Sequence, residues 1–378
     1  MKKVLLATTA LAIVAASASA VDVEMYGQVN KSALSYDDGR NTNTVFVDNH
    51  KSESRFGLKG AQALDNGLTA SFLLESAIAS NPSNGFTQSA DSAGTSGQPT
   101  TPAASPNSFA ERQARVGLSG GFGGIYLGDQ STAIDSVRDQ DLVGVRDVMG
   151  ASFASDYGSA LQFRNQANGL SGITIANVGA PDVQNRAQSV RYDSPIFAGF
   201  QGRAAVAQNG DADASVFYDG AVAGFKVKGA AGYQSIQSRA GTTPLTAAQT
   251  NAVNARTDAS ISVAHASGLA GTVGYNRESL TNKTANQDTP TSWYAKAGYA
   301  WDAYEVAADY GQSKHYSSIG VLGAAPAEDK LNSFGLGAQY NMGQGVSVAA
   351  LYRNLNADRT AVDLKSINLY GVNMRVKF

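Results

Sequence analysis

The stretch "NLYGVNMRVKF", residues 368–378, alternates to its last residue. Phe378, Val376, Met374, Val372 and Tyr370 form one row, and Lys377, Arg375, Asn373 and Gly371 form the other. A period of two puts these rows on opposite faces of a strand. Chain termini usually fray, so a final strand ending on an aromatic residue is unusual for a water-soluble domain. Above Tyr370 the phase slips, because Leu369 and Ile367 fall on the polar row. A bulge or a subunit contact would produce that slip.

The other end bears on the compartment. Lys2 and Lys3 precede a mostly apolar run, Val4 to Val14, and Ala18-Ser19-Ala20 offers a small-x-small cleavage site. Residues 1–20 are predicted to be a cleaved secretory signal peptide, the run being too short for a membrane anchor. Without Lys2 and Lys3, 27 basic residues stand against 31 acidic ones. The chain has no cysteine, so disulfides and thiolate metal sites are excluded. His50, His265 and His315 lie far apart in no ligand-like spacing, and neither a metal nor a cofactor is expected. Nor is a nucleic-acid partner. No later apolar run reaches the ~20 residues of a membrane helix.

Most of residues 21–378 reads as segments of roughly ten residues in two-residue alternation. In "FGLGAQYNM", Phe334, Leu336, Ala338, Tyr340 and Met342 oppose Gly335, Gly337, Gln339 and Asn341. Trp293, Ala295, Ala297, Tyr299 and Trp301 oppose Lys296, and Tyr304, Val306, Ala308 and Tyr310 oppose Glu305 and Asp309. Aromatics sit at the ends of the apolar rows, as at the two interfaces of a lipid band. The polar rows carry too many charges for a packed core, so they face water. In lipid only a closed barrel satisfies every strand edge. The prediction is an all-β transmembrane antiparallel barrel of about sixteen to eighteen strands.

Connections alternate in length. Asp65-Asn66-Gly67, Gly120-Gly121, Trp301–Tyr304 and Gly343-Gln344-Gly345 are short, whereas 80–107, 131–157, 238–256, 282–290 and 316–330 are long and polar. Short periplasmic turns alternating with longer external loops are expected of such a barrel. Residues 80–107, rich in Ser, Thr, Pro and Gly, read as an exposed surface loop.

"SRFGLKG" (54–60), "RVGLSGGFGGIYLG" (115–128), "SVRYDSPIFAGF" (189–200), Tyr26-Gly27 and the terminal Phe378 occur in the order of the general bacterial porins of Gram-negative outer membranes, which the chain resembles. The resemblance implies a sixteen-stranded barrel with a third external loop folded inward, here residues 131–157. It also implies a homotrimer in outer-membrane lipid and lipopolysaccharide, and it makes Phe378, with Tyr370 in its row, a signal for the barrel-assembly machinery. One departure is "ALQFRNQANGLSGITIANVG" (160–179), which either adds a hairpin to the wall, making eighteen strands, or lengthens the inward loop.

A diffusion pore needs a charged constriction rather than a catalytic group. Alternation places Arg55 and Lys59 on the luminal row opposite Phe56 and Leu58, and Arg191 with Asp193 opposite Val190 and Tyr192. In 109–119 the outward row Ala114, Val116, Leu118 makes Arg115 luminal, whereas the family spacing favours Arg112; a bulge would reconcile them. The family's arginine after "LG" is replaced by Asp129. The inward loop is expected to oppose this wall with Asp135, Asp139, Asp141 and Asp147, among which lie Arg138 and Arg146. The alternative for each charge is a solvated loop or wall residue. The expected function is passive diffusion of small hydrophilic solutes and ions. The alternative is a substrate-specific channel, which would show a line of luminal aromatics. An enzymatic barrel would need a Ser/His or Asp/His constellation, and none is visible.

Overall fold

The computed structural model describes residues 21–88, 109–182, 185–208, 210–237, 253–281, 288–318 and 328–378. The expected signal peptide (1–20) and most of the loops expected at 80–107, 238–256, 282–290 and 316–330 lie outside the described residues.

The strands are β1 (Asp22–Asp37), β2 (Thr42–Asp48), β3 (Arg55–Ala63), β4 (Thr69–Ile78), β5 (Phe109–Gly120), β6 (Gly123–Ser131), β7 (Gln162–Arg164), β8 (Leu170–Thr174), β9 (Arg186–Asp193) and β10 (Phe200–Ala207). There follow β11 (Ala212–Val222), β12 (Phe225–Ser235), β13 (Val253–His265), β14 (Leu269–Leu280), β15 (Thr291–Trp301), β16 (Tyr304–Lys314), β17 (Asp329–Gly343), β18 (Val346–Arg359) and β19 (Ile367–Lys377). All but β7 and β8 pair, antiparallel, in one sheet closed by β1 against β19. β2 and β3 each flank half of β1, so they are two parts of one wall strand broken at 49–54. The wall therefore has sixteen strands. β7 and β8 pair only with each other, around Asn168 in the left-handed region, so residues 160–179 belong to the connection and not to the wall.

Alternation fixes the two faces. Tyr299, Trp301, Tyr304 and Tyr340 stack in sequence on the outside near the short turns, with centroids 5.6, 5.7 and 4.9 Å apart. Trp293 with Tyr310, and Tyr352 with Tyr370, form a second outer level, and exposed Val306 and Leu336 lie between the two. Two aromatic levels around an aliphatic band are what a bilayer requires.

The C-terminal strand closes the barrel. Gln28 pairs with Lys377 and Asp37 with Asn368 without a break, and Gly27 exchanges backbone hydrogen bonds with Phe378 at 3.0 and 3.1 Å. A Cβ on Gly27 would lie 2.6 Å from the Phe378 ring, so glycine makes room for that aromatic. The phase slip above Tyr370 is neither a bulge nor an outer contact. Register continues through Leu369 and Ile367, and both are fully buried in an apolar cluster inside the barrel. That cluster joins Leu34, Tyr36, Val47, Leu331, Leu351 and Leu355 of the wall to Val143, Met149, Phe153, Leu161, Phe163 and Ile175 of the segment between β6 and β9.

The segment 80–107 is also less exposed than expected, as far as it is described. Phe86 is fully buried against Tyr36, and Gln88 bonds the backbone of Gln162.

Candidate pore constriction

β6 and β9 are wall neighbours, so the chain leaves the wall at residue 132 and returns at 185. In between it follows the inner rows of successive strands. Ala133 bonds Asp213 and Ser215 of β11, at 3.0 and 2.5 Å. Gln140 and Leu142 donate to Ser260 and Ser262 of β13, at 3.1 and 2.8 Å. Asp141 accepts from Thr272 of β14 at 2.6 Å and from Lys296 of β15 at 2.9 Å. Val145 donates to Glu305 of β16 at 2.6 Å. Asp147 accepts from Ser347 of β18 at 2.5 Å, pairs with Arg375 of β19, and its carbonyl accepts from Asn49. Small polar side chains on the inner rows thus satisfy a backbone with no ladder of its own.

This path leaves β3 to β6 and β9 facing a cavity of about 360 Å³. Arg55, Glu75, Arg112, Gln113 and Ser131 line its wall side, with Lys51 at the break between β2 and β3. Arg186 of β9 also stands on the wall side, and Asp135, Asp139, Arg146, Asp156 and Asp182 line the other side. Glu75 accepts from Arg112 at 2.8 Å and from the Tyr26 hydroxyl at 2.9 Å, and lies 3.2 Å from Arg55 Nε. Arg112 also contacts Glu53, which lies 3.2 Å from His50 Nδ1. Lys51 Nζ stands 3.4 Å from Asp139 and 3.8 Å from Asp156.

The environments of the loop carboxylates differ. Burial raises the Asp135 carboxyl, offset in part by hydrogen bonds from its neighbours. Burial also works on Asp139, but Lys51 and the Ala151 amide outweigh it and hold that carboxyl below its ordinary value. Asp156 is pushed up to about 7, first by burial and then by Asp182 and Asp139, against the pull of Lys51 and His50.

Of the expected wall residues, Arg55 and Arg112 therefore line the cavity and meet Asp135 and Asp139 across it. The β4–β5 register shifts between Glu75 and Ser76, which pair with Gln113 and Glu111, so Arg112 is the extra residue of a bulge. Both Arg112 and Arg115 are then on the inner side. Arg115 and Arg191 lie nearer the short turns, over the Tyr126 ring at 4.5 and 5.2 Å. Arg191 is also bound to Asp193 at 2.9 Å. Lys59 is half-exposed beside Glu24, 3.1 Å away, and is not part of the cavity. Asp141 and Asp147 are likewise away from it, taken up by the buried Lys296 and the part-buried Arg375, which fasten the segment to the wall. Asp129 pairs with Ala114 and Gln188 on the outward row, so it adds no negative charge to the inner wall.

Lys51, Glu75, Asp156, Asp182 and Arg186 were not singled out by sequence. Glu75 was legible, since it alternates with outward Leu74. Lys51, Asp156 and Asp182 stand in non-periodic stretches, and Arg186 opens β9.

Comparison with known proteins agrees with this architecture. Residues 7–360 match the family described as Gram-negative porin. The major outer membrane protein P.IB of Neisseria lactamica is 28% identical over 208 residues, covering 53% of this chain and 48% of that protein. The chain thus spans about half the length of the curated relatives it matches. The anion-selective porin of Comamonas acidovorans superposes with a TM-score of 0.60 at 18% identity, over 95% of this chain and 100% of that one. OmpT of Vibrio cholerae, in a trimer form, gives 0.57 at 14% identity over 95% and 100%.

Proposed function

The chain belongs to the Gram-negative porin family, and on that premise we propose that it forms a water-filled outer-membrane channel for passive diffusion of small hydrophilic solutes and ions. The observation that carries the reading is the cavity where Arg55, Arg112 and Lys51 stand against Asp135, Asp139 and Asp156 inside a sixteen-stranded barrel. Opposed fixed charges across a narrow aqueous path set a transverse field, which favours polar solutes over apolar ones. The segment 132–185 is the inward third loop, and it includes the 160–179 hairpin. Arg115, Arg191 and Lys59 continue the basic wall toward the short-turn end.

A homotrimer in lipid and lipopolysaccharide is proposed from the family, with the trimer form of OmpT as support. Residues 1–20 are proposed as the cleaved export signal and 21–378 as the barrel. Phe378 and Tyr370 are proposed as the signal read by the assembly machinery. Planar-bilayer recording of the mature protein tests the reading. Ohmic steps in groups of three support it, and a folded barrel that conducts nothing overturns it.

A further inference from the structure

Lys51 faces two carboxylates at once, since its Nζ lies 3.4 Å from Asp139 Oδ2 and 3.8 Å from Asp156 Oδ2. Asp139 has a second donor, the Ala151 amide at 3.2 Å. Among the described residues the Asp156 carboxylate accepts no hydrogen bond, and the residue is 3% exposed. Asp182 stands on the same cavity, with His50 Nε2 3.6 Å from its carboxylate. The charged and titratable groups acting on Asp156 are Lys51 and His50 from the β2–β3 break and Asp139, Tyr157 and Asp182 from the loop, together with Arg353 of β18. Arg353 is already committed to Asp309, in a bidentate pair at 2.9 and 3.1 Å.

One ammonium serving two acids in a confined space favours a proton on one of them. Asp156 is the weaker partner, its carboxylate being farther from Lys51 and accepting no hydrogen bond among the described residues, and its place on the cavity lets protons reach it through water.

We infer that Asp156 is a selectivity-determining residue whose protonation switches the charge balance of the constriction. The inference rests on the proposed channel function. Its raised carboxyl, at about 7, agrees with the geometry. Above neutrality Asp156 is charged and offsets a cation of the cavity. Below neutrality that negative charge is gone, and the path favours anions more.

The test is the reversal potential of the mature protein in a KCl gradient from pH 8 to pH 6, for the parent, Asp156→Asn and His50→Gln. The parent should gain roughly threefold in anion-to-cation permeability ratio as pH falls, with its midpoint near 7. That is the size expected for one unit charge about 8 Å from the path at about 0.1 M salt. Asp156→Asn, which keeps the side-chain volume, should show the acid value already at pH 8 and no step. His50→Gln should keep the step. A flat parent, a step surviving in Asp156→Asn, or a step lost only in His50→Gln overturns the inference while leaving the channel intact. Absence of conductance in the parent would instead strike the channel reading itself.

Discussion

Lys296→Met tests how the inward segment is fastened. Lys296 and Asp141 are both buried, 2.9 Å apart, and the Asp141 carboxylate also accepts from Thr272 and from the Val143 amide. Removing one partner of a buried ion pair leaves an uncompensated charge and costs about 3–5 kcal/mol. The same segment buries Val143, Val145, Met149 and Phe153 against the wall. At ~1.5–3 kcal/mol for each such side chain, these four contribute roughly 6–12 kcal/mol. The apolar anchors exceed the loss, so the segment should stay in place and unit conductance should be kept. Stability should fall, and Asp141→Asn combined with Lys296→Met should recover at least ~2 kcal/mol, because a neutral amide needs no counter-charge. Urea unfolding in lipid vesicles reads this by tryptophan fluorescence, since Trp293 and Trp301 are the chain's two tryptophans and both face outward. A Lys296→Met protein as stable as the parent, or a double variant no better than the single one, would refute the argument.

Two further outcomes follow from the same geometry. Arg55→Gln should lower the anion-to-cation permeability ratio roughly two- to threefold, the effect of one screened charge beside the path; an unchanged reversal potential would remove Arg55 from the constriction. Leu369→Ala should cost about 2–5 kcal/mol in the same unfolding assay, as a cavity in a packed cluster does. The neighbouring Val372→Ala, on the lipid-facing row, should cost clearly less.

Fold and site differ in how much of them the sequence disclosed. The wall was legible because a two-residue period says which side each residue takes, and Phe56, Leu58, Val190 and Tyr192 all face outward as read. The period does not say what stands opposite the inner row. Leu369 and Ile367 therefore looked like a fault in register, when they are the wall half of an interior cluster. Loop acids carry no period at all. Asp135 and Asp139 stand with Asp141 and Asp147 in the loop that the family resemblance indicates, and only tertiary pairing with Lys296 and Arg375 separates the anchors from the cavity. Asp156 and Asp182 were missed for the same reason. Arg112 and Arg115 could not be told apart, since a one-residue bulge leaves no mark in the residue pattern.

The central claim is that water passes between β3–β6 and the inward segment, and not through the side occupied by the apolar cluster. The chain has no cysteine, so single thiols can be placed without background. Gln113 lines the charged cavity, whereas Ala349 of β18 is buried in the cluster. A cationic methanethiosulfonate added during single-channel recording should lower the conductance of Gln113→Cys in discrete steps and leave Ala349→Cys unchanged. An inert Gln113→Cys beside a blocked Ala349→Cys would place the path on the other side of the barrel and contradict the account.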